Sequence, residues 1–453
     1  MTKSTKILVP SGVLGLGFSE DALIQGLKRQ PDIISIDGGS TDSGPFYLGM
    51  GVSKYSLEVC EAEWHLLMQA RHDNKIPLVI GSCGTCGVNA GVDMMFDMTV
   101  RIAKKLGHSV KIARIYCERE RSEFQIALSE NRIKPLEPAP QITQDSLSKT
   151  THIVSSAGVE PIQKAMEAGA DVILVGRATD TALIAALPLL NNAHKGASWH
   201  AAKIAECGAF CSTNPSSGVI FVEVDETGFT VEAMAQNALC TPETVAAHML
   251  YENADPFILL EPGGHLDVTD ATYTALDARR VRVEGSHWHS SDTYTVKLEA
   301  AKLSGYQTTL LTIVREPNYV AHIDDWIEKL SRICNTKIKQ SMTNSKSTHS
   351  IDFRVIGKNA VLGELEFSES LAPELGVLVI VTADSQGEAD DIAMLINPYL
   401  LHLPLSEDEP IPTTAFAYSP ANSSRGAFFE FALNHIIKLE KPCDGFPLII
   451  DEV

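Results

Sequence analysis

Short apolar runs, each followed by a small-residue turn and then by a pattern of helical period, fill the first part of the chain. KILVPSG precedes SEDALIQGLKRQ, DIISIDGG precedes STDSGPFYLG, and IPLVIGSCG precedes a helix predicted from about Asn89 to Leu106. VKIARIYCE follows; THIVSSAG then precedes VEPIQKAMEAGA, and DVILVGRATD precedes TALIAALPLL. The runs are continuously apolar and do not alternate, as strands do when helices cover both faces of a parallel sheet. The fold class predicted for residues 1–215 is therefore α/β, with a doubly wound, mostly parallel sheet. Ligands of such sheets sit beyond the carboxyl ends of the strands. That places Ser11, Asp37, Ser82, Cys83, Ser155 and Arg177 on one rim.

The pattern changes near residue 216. GVIFVEVDETGFTVEAM reads as a hairpin turning between Asp225 and Gly228. TPETVAAHMLYENA reads as a helix with Thr241 as N-cap and Glu243 in the first turn. RRVRVEGSHWHSSDTYTVKLEA alternates, as strand, turn and strand. Residues 216–335 are thus expected to form a β-rich middle layer. The polar stretch KIKQSMTNSKSTH, residues 338–350, reads as a linker or mobile loop. Beyond it IDFRVIG, LGVLVIVTAD and GEADDIAMLINPYLL predict a small C-terminal α+β domain over 350–453, irregular in its tail as far as GAFFEFALNHIIKL.

At 453 residues the chain exceeds one ordinary core, which agrees with several domains. A hydrophobic content of 44% with 21% charged residues is that of a globular protein, and a net charge of −20 argues against nucleic acid or an anionic membrane as partner. It leaves room for one local basic pocket and a small anionic substrate. The opening MTKSTKILVPSGVLGLG is basic then apolar, but without a small-residue cleavage site it reads as a first strand and a glycine turn. Nine scattered cysteines suit free thiols in a reducing cytoplasm. The apolar content and several exposed-looking strands lead to the expectation of a homo-oligomer.

Six stretches carry candidate chemistry. In VIGSCGTCGVNAG, Cys83 and Cys86 sit at the expected start of a helix, where exposed N–H groups favour thiolate. The competing reading is a tight turn that needs small residues, with Gly84 and its neighbours letting backbone approach a ligand; a structural zinc site would need a second ligand pair of similar spacing. PSGVLGLG is a glycine turn that opens a helix and offers an anion site; with Asp37 further on it fits a dinucleotide fingerprint only weakly. IDGGSTDSGP carries Asp37 and Asp42 beside Gly38 and Gly39, with Asp37 either a general base or a turn residue. In DVILVGRATD, Arg177 needs a partner, either Asp180 or an anionic ligand. LLEPGGHLDVTD and EGSHWHSSDTYTVK bring His265, Asp267, Asp270, His287, His289 and Asp292; His287 and His289 have a metal-compatible spacing if they lie on a strand. No metal or other cofactor is expected.

The run AGADVILVGRATDTALIAALP, then AKIAECGAFC, LYENADPFILLEPGGHLDVTDATY and VRVEGSHWHSSDTYTVKLEAAKLSGYQ, resembles the acyclic terpene utilisation AtuA-like family. The resemblance covers roughly residues 5 to 315 and is strongest from 169 to 275. Matching residues are Gly176, Arg177, Thr179, Asp180, Glu206, Cys207, Gly208, Tyr251, Asp255, Pro256 and Asp267. The chain departs from the family pattern at GLGFSED, at IDGGST and at the cysteine-bearing SCGTCGVNAG, which ends in Asn89-Ala90-Gly91, and Lys203 stands where a histidine is common. The resemblance implies a divergent, bacterial-type cytoplasmic enzyme linked to catabolism of branched acids or acyl-CoA compounds.

The reaction expected is lyase-type: hydration, dehydration or another elimination beside a carbonyl or carboxylate. Arg177 would clamp a carboxylate, Asp37 or Glu206 would act as base, and the turns at 38–39 and 81–87 would offer N–H groups to a developing oxyanion. Ser11, Ser82, Cys86, Asn89, Asp180 and His265 complete the expected binding set. The alternatives are a Cys83-dependent hydrolase or transferase and a non-catalytic assembly subunit.

Overall fold

The computed structural model describes residues 4–139, 141–342, 348–368 and 372–453. The chain is mixed α/β, with 13 α-helices among the described residues, and it divides into two compact units. The first comprises Met1–Lys302 and Phe431–Val453; the second is Leu303–Glu430. The expected boundary at 215/216 falls inside the first unit.

Ten strands form the large sheet of the first unit. Five run parallel at its centre, in the order Thr5–Val9, Ile33–Ile36, Leu78–Ile80, Val172–Val175 and Lys111–Ile115. Four of the five have every residue buried or all but one; Lys111–Ile115 has two half-buried residues. The other pairings are antiparallel, so the sheet is mixed and the expectation of a mostly parallel sheet does not hold. The reason is local. The hairpin of Ile220–Val224 and Gly228–Ala233 closes on Asp225, whose Oδ1 accepts from the N–H groups of Thr227 and Gly228, and its first strand pairs antiparallel with Thr5–Val9. Arg280–Glu284 and Thr272–Ala275 extend that edge, and Leu448–Glu452 closes the other.

Two sets of helices pack on this sheet. Leu57–Asn74 and Asn89–Leu106 contact each other, and Trp64 Nε1 of the former donates to Thr99 Oγ1 of the latter at 2.9 Å. Val159–Glu167, Asp180–Leu190 and Lys195–Ala205 form the second set. The helix predicted from Asn89 to Leu106 has those bounds. A separate three-stranded sheet is built from Ile258–Glu261, Gly264–Asp267 and His287–Ser290.

In the second unit, Leu375–Ala383 alternates buried and half-buried positions along its whole length, the mark of a strand covered on one face. It pairs with His349–Ile356 and with residues 306–314. Helices Ile323–Ser341 and Gln386–His402 pack together, and the buried Trp326 donates from Nε1 to the Leu403 carbonyl at 2.9 Å. The expected linker 338–350 begins inside the first of these helices and ends in the strand His349–Ile356; its residues 343–347 lie outside the described residues. The tail GAFFEFALNHIIKL belongs to the strand Asn422–Leu439.

The strand order brings the loops after Ile36, Ile80 and Val175 side by side, and they touch backbone to backbone. A side chain on Gly38 would meet the Gly81 carbonyl oxygen at 2.6 Å, and one on Gly87 would meet the Arg177 nitrogen at 2.4 Å. Gly87 also has φ +69°, while Gly107, at φ +68°, faces open space. Alanine at either position bears the cost of the left-handed conformation, about 1 kcal/mol or more, but only at 87 does it also push the cysteine loop off Arg177. Gly87→Ala should therefore lower the thermal unfolding midpoint clearly more than Gly107→Ala; equal shifts would show that the contact with Arg177 contributes nothing.

Candidate functional site

Arg177 follows the strand Val172–Val175 and precedes the helix Asp180–Leu190, whose N-cap is Thr179. Its guanidinium is largely buried and held on three sides. Nε donates to Glu299 Oε2 at 3.0 Å, and Nη1 donates to Ser82 Oγ at 2.9 Å, to the Ala178 carbonyl at 2.7 Å and to Asp180 Oδ1 at 3.3 Å. Lys297 Nζ lies 3.2 Å from the other oxygen of Glu299. The two cations hold the buried Glu299 down at about 2, against the upward push of desolvation.

Arg177 and Lys297 both line a cavity of about 470 Å³, within the range of small-molecule sites. Asp180, Glu261 and His265 supply its other ionisable groups, and Leu136, Leu260 and Ile436 give it an apolar wall. Glu261 ends the strand Ile258–Glu261 at the turn Pro262-Gly263, which leads into Gly264–Asp267. The Thr181 hydroxyl donates to its Oε1, while its Oε2 is buried with no hydrogen-bond partner. Burial, reinforced by Asp180, pushes Glu261 up to about 7. Asp180 is itself raised by burial, against the pull of Arg177. A carboxyl poised near neutrality, in a residue that lines the same cavity as Arg177 and Lys297, is suited to proton exchange with a bound acid or carbonyl compound.

Beside this cavity lies a second cluster. Lys203 Nζ donates to Glu206 Oε1 at 2.5 Å and to the Tyr251 carbonyl at 2.9 Å. Burial raises Glu206 to about 8; Lys203 opposes the shift, and Asp180 and Glu261 add to it. Cys207 and His248 are adjacent: among the described residues, Glu206, Cys207 and His248 are the group whose ligand atoms gather within 4.8 Å of one another.

Of the residues expected at the site, the cavity gathers Arg177 from the rim and Asp180 and His265 from the wider binding set; the others lie outside its lining. Asp37 is buried behind it, with Oδ2 accepting from the Gly39 N–H at 3.0 Å and Oδ1 unpartnered. Burial and nearby Asp180 push it well above the usual carboxylate range. Cys83 is fully buried and its thiol is pushed up by desolvation. The activation expected from a helix N-terminus is not realised, because the helix begins only at Asn89 and the Cys83 N–H bonds the Val175 carbonyl. Cys86 is likewise buried and raised. Gly38, Gly39, Ser82 and Gly84 serve the packing of the three loops, and Asn89 is turned onto Glu118, whose Oε2 accepts its N–H at 3.0 Å. Ser11 is buried beside Gly208. The glycine turn expected to take an anion already holds one of the protein's own: Glu63 accepts the N–H groups of Gly15 and Gly17 at 2.7 and 2.9 Å. His287 and His289 lie on the strand His287–Ser290, both exposed, with the His289 ring stacked on His265.

The chain matches the family model described as acyclic terpene utilisation family protein AtuA over residues 66–406. The chain belongs to this AtuA family. The match extends past residue 315, where the resemblance read from the motifs ended, and it takes in much of the second unit. No curated protein and no solved structure matches the chain. No helix among the described residues is long and apolar enough to cross a membrane.

For this AtuA-family chain, sequence reasoning missed Glu261, Lys297, Glu299 and His248. Glu261 had a signal in the Glu-Pro-Gly-Gly turn closing an apolar strand. Glu299 and Lys297 alternate on a strand like many surface pairs, and nothing local distinguishes them.

The Glu261 shift has a consequence for stability. Its folded pKa of about 7 lies above the unfolded value of about 4.3. The folded state therefore binds this proton more tightly, and the resulting stability is complete below about pH 4.3 and lost as pH rises through about 7. Glu261→Gln should show a smaller fall in thermal midpoint than the native chain between about pH 5 and pH 8. Parallel pH profiles for the two proteins would count against the shift.

Proposed function

We propose that this chain is a catabolic enzyme acting on a small carboxylic acid or acyl-CoA, with lyase-type chemistry: hydration, dehydration or another elimination next to a carbonyl. The observation that carries the reading is the pairing, in one cavity, of two cations with a carboxylate whose second oxygen has no partner. Arg177 and Lys297 would receive the substrate's carboxylate or thioester carbonyl. Glu261 replaces Asp37 and Glu206 as the base, taking the proton from the carbon beside that carbonyl, while the cations stabilise the enolate charge. Leu136, Leu260 and Ile436 would take the hydrocarbon part, in keeping with a family described by acyclic terpene utilisation.

A Cys83-dependent hydrolase or transferase has less support, since the thiol is fully buried and outside the cavity lining. The cavity likewise favours an enzyme over a non-catalytic assembly subunit. The reading includes a cytoplasmic location, supported by nine unpaired cysteines. It also includes a homo-oligomer, supported by the exposed Val361, Leu365 and Phe367; light scattering that gave a monomer would remove that element.

A thermal-shift screen of branched small carboxylates and their CoA esters tests the reading, because a ligand of the folded state raises the midpoint. A stabilising ligand should lose most of its effect in Arg177→Met. Glu261→Gln should keep the ligand shift but lose turnover by about 100-fold or more. Ligand shifts unchanged in Arg177→Met would sink the clamp. Undiminished turnover in Cys83→Ser is also expected, and its loss would revive the thiol reading.

A further inference from the structure

Glu206 and Cys207 follow the helix Lys195–Ala205, and His248 ends the helix Pro242–His248. The two helix ends bring a carboxylate oxygen, a thiol sulfur and a ring nitrogen within 4.8 Å of one another. None of the three lines the cavity of the proposed reaction. His248 is only 4% exposed and its Nε2 has no hydrogen-bond partner, although such a group ordinarily finds one. That leaves a buried ring nitrogen available as a ligand.

The cluster is already held in place. The Tyr251 ring stacks on His248 with centroids 5.5 Å apart and planes 13° from parallel. Lys203 takes one oxygen of Glu206 and leaves the second. Gly12 lies so close to the Cys207 backbone that a side chain there would meet its Cα at 3.0 Å.

One sulfur, one nitrogen and one oxygen are the donor set of a borderline transition metal. Thiolate and imidazole select against magnesium and calcium, which take oxygen ligands. Tetrahedral zinc separates its ligand atoms by about 3.6 Å, so closing the group onto an ion needs a contraction of roughly 1 Å, within the reach of side-chain rotation. We propose that Glu206, Cys207 and His248 form a zinc-class divalent metal site with three protein ligands and an open fourth position. The Cys207 thiol gives up its proton to solvent as the metal–sulfur bond forms, and the thiolate and carboxylate balance the ion's charge. Lys203, bonded to Glu206 outside the ligand set, positions that carboxylate.

Cobalt(II) titration of the chelator-treated full-length protein tests the site without reference to turnover. Binding of one cobalt ion per chain, with a thiolate-to-cobalt charge-transfer band in the near ultraviolet, is the expected result. Cys207→Ser should abolish that band, and His248→Gln should weaken binding by about 100-fold or more. Cys443→Ser, a thiol outside the cluster, should bind like the native chain. Thermal unfolding of each apo variant checks that it is folded, and a folded Cys207→Ala serves if the serine variant is not. Absence of cobalt binding by the native chain would overturn the site, as would an unchanged band in Cys207→Ser or Cys207→Ala. A failed ligand screen with intact cobalt binding would remove the proposed reaction and leave the metal site standing.

Discussion

The pair between Arg177 and Glu299 is the interaction on which the site depends. Burying a guanidinium is expensive, and removal of one partner from such a pair leaves an uncompensated charge in a poorly solvated place. Arg177 ends a central parallel strand; Glu299 arrives 122 residues later on the strand that pairs with Thr150–Ser155. The ion pair therefore forms only when that strand has docked beside the sheet. It also sets the electrostatics of the cavity. Glu299 faces both Arg177 and Lys297, and Arg177 also donates to Asp180, so the buried cations and carboxyls there balance one another. Arg177 and Lys297 are nonetheless the cations that an anionic substrate would meet there, in a chain whose net charge is −20.

The cysteine-bearing loop packs against this arginine. Ser82 accepts from Nη1, and Gly87 lies against the Arg177 backbone. Ser82 and Thr85 both have positive φ, and for a β-branched residue such as Thr85 that is a strained conformation. The loop tolerates it because Thr85 Oγ1 accepts the Lys54 N–H at 3.0 Å and the flanking backbones leave no other path. Small residues, cysteine included, are what such close packing admits.

How much of this could be read in the sequence follows from the range of each interaction. Continuous apolar runs marked the central strands, because burial on both faces leaves no polar position to interrupt them. The helix Asn89–Leu106 and the hairpin at Asp225–Gly228 are local and were legible for the same reason. The Arg177–Asp180 contact, three residues apart, belongs with them. Sheet order does not, since an antiparallel strand added by a hairpin and a parallel one added by a crossover can carry the same apolar run. Glu299, Lys297 and His248 gain their meaning only from partners dozens of residues away. The rim rule named more residues than the candidate cavity gathers. It treated every strand-end residue as facing a ligand, whereas Asp37 and Cys83 face neighbouring loops.

Asp180, Glu206 and Glu261 are neighbouring buried carboxyl groups: Asp180 raises the proton affinity of both glutamates and Glu261 adds to that of Glu206, with Lys203 and Arg177 as the nearby counter-charges. Packing alone gives no reason to keep them. Replacing a buried carboxyl by an apolar residue of similar volume is often neutral or stabilising, so a cluster of unsatisfied acids is a place where local stability is conceded. The concession is divided between two neighbouring places. Glu261, whose residue lines the cavity, has one buried oxygen without a hydrogen-bond partner. Glu206 has a carboxylate oxygen gathered with a thiol and an imidazole, a donor set suited to a cation.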